Sequence, residues 1–303
     1  MKLMRDLPLF FHPIIFLLVI VIAFAIGPTN ASHGAGFEKC AYTFVNGIAP
    51  KHKTSKNNNI INLCKSSTTA QDVGFAVAFN TDTHTADFAA YKLTREMVTA
   101  PSTFKRNNNW FTPDLEISTA NSMAVQATNK TYRHSGLDRG HLVKAEDMKL
   151  SKDVYRSTFL YSVIVPQFPK LNRFIWRKVE EIPRAKIKSG IFDEVWIISG
   201  ITGTHPTRQD MDVTVPACFY RVMIGKKGSV YSVAALIVPN DNDIGSAKPI
   251  ESFSVSHGYL SSITKLDFLG GFSEMDWTQI SINSGKWGLP PIDIKKQQIT
   301  PCG

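Results

Sequence analysis

The chain contains no Cys-x-x-Cys pair, no phosphate-binding Gly-x-x-x-x-Gly-Lys loop, no His-Glu-x-x-His and no Gly-x-Ser-x-Gly. Each absence removes a class. Without paired cysteines a structural zinc site has little to build on. Without the other three, a nucleotide triphosphatase, a zinc protease and an α/β-hydrolase lose their signatures. Internal repeats, heptads and low-complexity blocks are absent too, which excludes solenoids, coiled coils and fibrous arrays. Long apolar runs are also scarce. The only one, Ile14–Ile26, has 13 residues after Pro13, short of the roughly 20 that cross a bilayer.

That run follows Lys2 and Arg5 and precedes the small residues Thr29-Asn30-Ala31, the order of a secretory signal peptide. Cleavage is expected near Ala31, with a retained anchor as the alternative. After cleavage no stable membrane association is expected, and the protein is read as secreted or periplasmic. An oxidising compartment gives the four cysteines a use as disulfides. Three connectivities are open, and Cys40–Cys64 with Cys218–Cys302 is preferred. The second pair would tie the C-terminal tail to the body and stabilise it by loop closure.

What is present describes a folded, basic protein. Hydrophobic residues make up 43% of the chain, with 19 Phe and 5 Trp, enough for a sizeable core. The net charge is +9, and loss of Lys2, Arg5 and Asp6 with the leader leaves +8. That excess favours polyanionic partners. Residues 32–72 are polar and read as an N-terminal extension, leaving 73–303 as one domain.

Within that domain, Phe75–Phe79 and Asp87–Leu93 predict a hairpin across Asn80–Thr83. Pro101–Gly136 is a long irregular stretch, of the kind that usually carries function. Ser157–Val165 reads as a buried strand. Leu171, Ile175, Val179 and Ile182 fall at helical spacing, with Pro183 expected to end or kink the helix. Val195–Gly200 reads as a strand. Phe219–Ile224 and Ser229–Val238 read as a hairpin across Gly225–Gly228, and Ser256 as the cap of a short helix towards Leu266. The fold class is α+β, a single domain with a central antiparallel sheet flanked by helices.

Two segments carry chemistry. In Asp138-Arg139-Gly140-His141-Leu142, a neutral histidine can take a proton from water and an arginine can fork onto phosphate oxygens. A glycine between them allows close backbone approach to a ligand. If His141 is the base, activity is expected to rise with pH as it loses its proton. The second segment is Pro166-Gln167, Leu171-Asn172, Trp176 and Glu180. Asn172, Trp176 and Glu180 lie along one drifting side of the helix. A neutral Asn oxygen suits Mg²⁺, and a nearby Glu can hold metal waters. Read singly, Asn172 is equally a helix cap, Glu180 a solvated side chain and Trp176 core. Asp138, Glu146, Asp147 and Asp153 show no paired spacing of the kind two-metal sites need.

Together these segments resemble the DNA/RNA non-specific endonucleases, the ββα-metal (His-Me finger) nucleases that include the endonuclease G type, from about Phe75 to Phe268. The resemblance implies His141 as general base and Asn172 as the single protein ligand of Mg²⁺, with Mn²⁺ as a substitute. Glu180 then acts on that ion through water, Arg139 supports the scissile phosphate, and Asp138 orients. Lys105-Arg106 before Asn109-Trp110 is similar to the family's Arg-Asn-Trp segment, which makes Arg106 a second phosphate clamp. DNA and RNA are the implied substrates and 5′-phosphates the products. One departure stands out: Val163 occupies a position where the family usually has asparagine. With the unusual loop it motivates a rival reading, a catalytically degenerate nucleic-acid-binding protein of the same fold; a phosphodiesterase for other substrates is a third reading. Asn129-Lys130-Thr131 is a glycosylation sequon.

Overall fold

The computed structural model describes residues 36–53, 59–101, 104–244, 248–272, 280–282, 285–289 and 302. The expected leader, residues 1–31, lies outside them. Its strands are β1 (Lys51–His52), β2 (Ile60–Ser66), β3 (Gly74–Asn80), β4 (Thr85–Thr94), β5 (Asp138–His141), β6 (Ile164–Gln167), β7 (Glu194–Thr204), β8 (Pro216–Lys227), β9 (Val230–Pro239), β10 (Ser254–Val255), β11 (Leu266–Asp267) and β12 (Ile280–Ile282). The helices are α1 (Arg95–Thr99), α2 (Leu115–Ala120), α3 (Asn129–Tyr132), α4 (Lys152–Ser157), α5 (Arg177–Lys188) and α6 (His257–Thr264).

The main sheet runs β10-β9-β8-β7-β4-β3-β2, every neighbour antiparallel, with β12 alone parallel against β9. Strand residues alternate between its faces. Phe75, Val77, Phe79, Tyr91, Ile197, Phe219 and Met223 enter the core shared with Leu171, Ile175, Val179 and Ile187 of the long helix. Ala76, Ala78, Phe88, Ala90, Ile198, Tyr220 and Val222 enter a second core with Leu260 of α6. The result is a central antiparallel sheet flanked by helices, the expected α+β class.

Both hairpins form where paired apolar runs around turn residues predicted them, the second turning at Gly228, whose φ of 58° suits glycine. Ser256 caps α6 by accepting from the Tyr259 amide at 3.0 Å. Both preferred disulfides are present, Cys40–Cys64 and Cys218–Cys302. No helix among the described residues is long and apolar enough to cross a membrane.

Three expectations need correction. Within the stretch 32–72 the described residues are no appendage: β2 pairs with β3 along its whole length, and Phe37, Cys40, Phe44 and Val45 fill the second core. Ser157–Val165 is not one strand. Ser157 ends α4, turns follow, and only Ile164–Gln167 is extended, although Phe159, Tyr161 and Val163 are fully buried. Pro183 does not end its helix, which continues to Lys188. An internal proline costs about 3 kcal/mol. Burying four aliphatic side chains, Leu171, Ile175, Val179 and Ile187, contributes roughly 1.5 kcal/mol or more apiece and outweighs it.

Candidate active site

β5 pairs antiparallel with β6, Asp138 facing Gln167 and His141 facing Ile164, and a helix beginning at Leu171 follows β6. Gly140 makes the pairing tight. A Cβ there would sit 2.7 Å from Cβ of Gln167 and 2.9 Å from the Val165 carbonyl. Its bareness therefore admits Gln167, a neighbour within the protein, and not a ligand as the sequence suggested. The Trp176 indole donates to the His141 carbonyl at 3.3 Å, pinning the strand to the helix.

Arg106, Arg139, His141, Asn172 and Glu180 line one cleft, so the strand and the helix contribute to the same cavity. The His141 ring is clamped edge-on by Phe111 at 5.7 Å and Phe159 at 5.2 Å. Its Nε2 is buried with no hydrogen-bond partner. Burial, then the positive charge of Arg106, push its pKa down to about 3, partly opposed by a backbone hydrogen bond with Arg139. The imidazole is therefore neutral at ordinary pH. If His141 is the base, the expected rise of activity with pH falls in far more acidic solution than an ordinary histidine would place it.

Asp138 is the organiser on the other side. Arg173 grips its carboxylate with two hydrogen bonds, Nε to Oδ2 at 2.8 Å and Nη2 to Oδ1 at 2.6 Å. Burial alone would raise the Asp138 pKa, but the bonds from Arg173 and Asn172 outweigh it and hold the carboxyl below its usual range. An ionised carboxylate only accepts. The group 2.9 Å from its Oδ2 must then be the amide nitrogen of Asn172, which orients that side chain and leaves the amide oxygen without a donor among the described residues. Glu180, also buried, takes Lys144 Nζ at 3.2 Å. Burial raises its pKa, and Lys144, then Arg221, pull the other way.

Arg139 is held at three points. Its guanidinium lies 4.7 Å from the Phe111 ring centre and 5.8 Å from that of Tyr132, and Nη2 donates to Asn129 at 2.9 Å. Tyr161 donates to the same Asn129 oxygen. The sequon asparagine is thus taken up in positioning an arginine. Arg106 lies 5.6 Å from both Phe111 and Phe159 ring centres. Sequence reasoning missed Asn129, Lys144 and Arg177, all of which touch or line the site. Val163 is fully buried in the core, its carbonyl accepting from the Leu142 amide at 3.1 Å, and it does not line the cleft. Its apolar side chain therefore serves packing.

No cluster of three or more His, Cys, Asp or Glu side chains suited to a metal occurs among the described residues. One neutral amide oxygen beside a buried carboxylate fits a hard ion that keeps most of its waters, and fits zinc or a two-metal centre poorly.

Two strands and a helix carrying a histidine and an asparagine into one cleft define a ββα-metal nuclease fold. A family model for DNA/RNA non-specific endonucleases matches residues 55–274, and this chain belongs to that family. The match begins well before Phe75, in agreement with the place of β2 in the sheet. The chain is similar to a nuclease of Nostoc sp., 28% identical over 215 residues that cover 68% of this chain and 74% of that one. It is similar to the human mitochondrial nuclease EXOG, 32% identical over 55% of this chain, and spans only 47% of that protein's length. Among solved structures, a complex of EndoG with EndoGI superposes with a TM-score of 0.59 at 21% identity, over 72% of this chain and 89% of that one.

Proposed function

We propose that this protein is an exported endonuclease that hydrolyses DNA and RNA with little base preference, using one Mg²⁺ and leaving 5′-phosphates. The observation that carries the reading is the amide of Asn172. Asp138 holds it by its nitrogen, so its oxygen is free in the cleft that His141 also lines. Asn172 would hold the ion directly and Glu180 through water. A bound Mg²⁺ supplies positive charge to the phosphate, and a neutral ligand leaves that charge undiminished.

His141 takes the proton of the attacking water. Because its Nε2 has no partner, it is available to accept. Arg139 and Arg106 meet the charge that grows on the phosphate, and the aromatic rings beneath them keep both guanidinium groups at the cleft without engaging their donors. Export fits the two disulfides. Plasmid DNA and RNA incubated with purified protein should be degraded with Mg²⁺ or Mn²⁺ and spared with EDTA or by His141→Ala. Intact plasmid in the Mg²⁺ lane would sink the reading.

A further inference from the structure

A second polar pocket lies beyond the aromatic wall of the cleft, lined by Asn109, Trp110, Thr112, Asp153, Arg156, Ser157 and Leu160. The wall is continuous. The His141 ring touches Phe159 at 5.2 Å, Phe159 touches Trp110 at 5.5 Å, and Arg156 Cζ sits 5.6 Å from the Trp110 ring centre. These three distances cap the separation of Arg156 from His141 at about 16 Å. At roughly 3.4 Å per nucleotide of a stacked strand, the pocket lies within about five nucleotides of the cut.

Its chemistry is not that of a phosphate site. Thr112 donates to the Trp110 carbonyl and Ser157 to the Asp153 carbonyl, so those hydroxyl protons are spent. Asn109, Asp153 and Arg156 are exposed, and neither Asp153 nor Arg156 forms an ion pair with any described residue. A free carboxylate repels a phosphodiester. It accepts a hydrogen bond from an exocyclic amino group of cytosine, adenine or guanine, whereas the one donor on the pairing edge of thymine or uracil, the ring N–H, lies between two carbonyl oxygens that repel it. A guanidinium stacked on an indole offers a flat cationic face on which a base can lie.

We infer that this pocket is a nucleobase subsite for one unpaired nucleotide of the substrate strand, with Arg156 on Trp110 as its platform and Asp153 selecting bases that carry an amino group. The inference rests on the nuclease reading for its substrate. The subsite gives the enzyme a mild bias on single-stranded substrate without a helix in the major groove. Asn109, with both a donor and an acceptor, tolerates any of the three favoured bases.

The test sequences the ends left from a random single-stranded DNA pool. At one position within five nucleotides of the cut, thymine should be depleted about fivefold, the worth of roughly one hydrogen bond. Asp153→Asn should abolish that depletion while total degradation stays within about twofold of wild type. Arg156→Ala should weaken the bias at the same position. Thymine at background frequency at every position, or a depletion that Asp153→Asn leaves untouched, overturns the inference. Binding in EDTA keeps the two readings apart. Fluorescence anisotropy with labelled oligo-dC and oligo-dT should show tighter binding to oligo-dC, lost in Asp153→Asn, even in a preparation that cuts nothing. Equal binding of the two by wild type again overturns it.

Discussion

The two faces of the central sheet are built from the same strands and do different work. The face beneath α6 is largely apolar: alanines, Phe88, Tyr220 and Val222 close against Phe37, Phe44 and Leu260, and both disulfides fasten it. The face beneath α5 takes buried charge into its interior. Arg221 is fully buried 5.1 Å from the Trp176 ring centre, and Asp147 pairs with Arg184 and accepts from Tyr91. Burying ions is costly unless they are paired. One face therefore supplies stability and the other spends part of it holding a reactive geometry, and each can be disturbed without the other.

The largest effect should come from the reactive face. His141→Ala is expected to slow plasmid degradation by roughly 10²- to 10⁴-fold with the melting temperature little changed. A variant that retains a tenth of wild-type rate would break the assignment. On the opposite face, replacing Cys218 and Cys302 together by Ser opens a loop with a sequence separation of 84. That should cost about 4.6 kcal/mol of stability by the chain-entropy relation, read as a lower urea midpoint. The specific activity of the folded fraction should stay within about twofold, and a large loss of kcat would show the faces are coupled.

Asp138→Ala removes the group that orients Asn172. The Mg²⁺ concentration giving half-maximal rate should rise by roughly 10- to 100-fold, with KM for DNA nearly unchanged. The pH dependence is a smaller effect. The folded His141 sits at about 3, below its ordinary 6.5, so the unfolded chain binds the extra proton first. Its contribution to stability is complete above about pH 6.5 and is lost as the pH falls towards 3. Urea midpoints measured across that window should fall more steeply for wild type than for His141→Ala, and identical slopes would contradict the buried imidazole. Smallest of all, Arg106→Ala should reduce the slope of log affinity against log salt by about 0.9, one phosphate contact.

The elements that were legible in the sequence are those set by local pattern. Paired apolar runs around turn residues gave both hairpins, and a serine before an apolar run gave the cap of α6. The segment Ser157–Val165 misled because a continuous apolar run is equally buried turn or buried strand, and periodicity cannot separate them. Pro183 misled because its local penalty is overridden by packing that only the fold reveals. Within the site, His141 and Asn172 stood out by residue type and spacing. Asn129 did not, because its value depends on the long loop folding back so that its amide meets Arg139 and Tyr161. Lys144 was hidden for the same reason. It meets Glu180, 36 residues away in sequence, only across the folded cleft.

The turn from Leu171 to Trp176 is π-helical, and α5 follows without a break. A regular helix advances about 100° per residue, so two residues eight apart end roughly 80° out of phase. Asn172 and Glu180 are eight apart and line one cleft. A wide turn takes up an additional residue and so cancels most of that angle. The half of the site carried by this helix is therefore timed by a single surplus residue. Deleting one position between Trp176 and Glu180 would leave every motif side chain in the chain and turn the carboxylate about a quarter-circle out of the cleft.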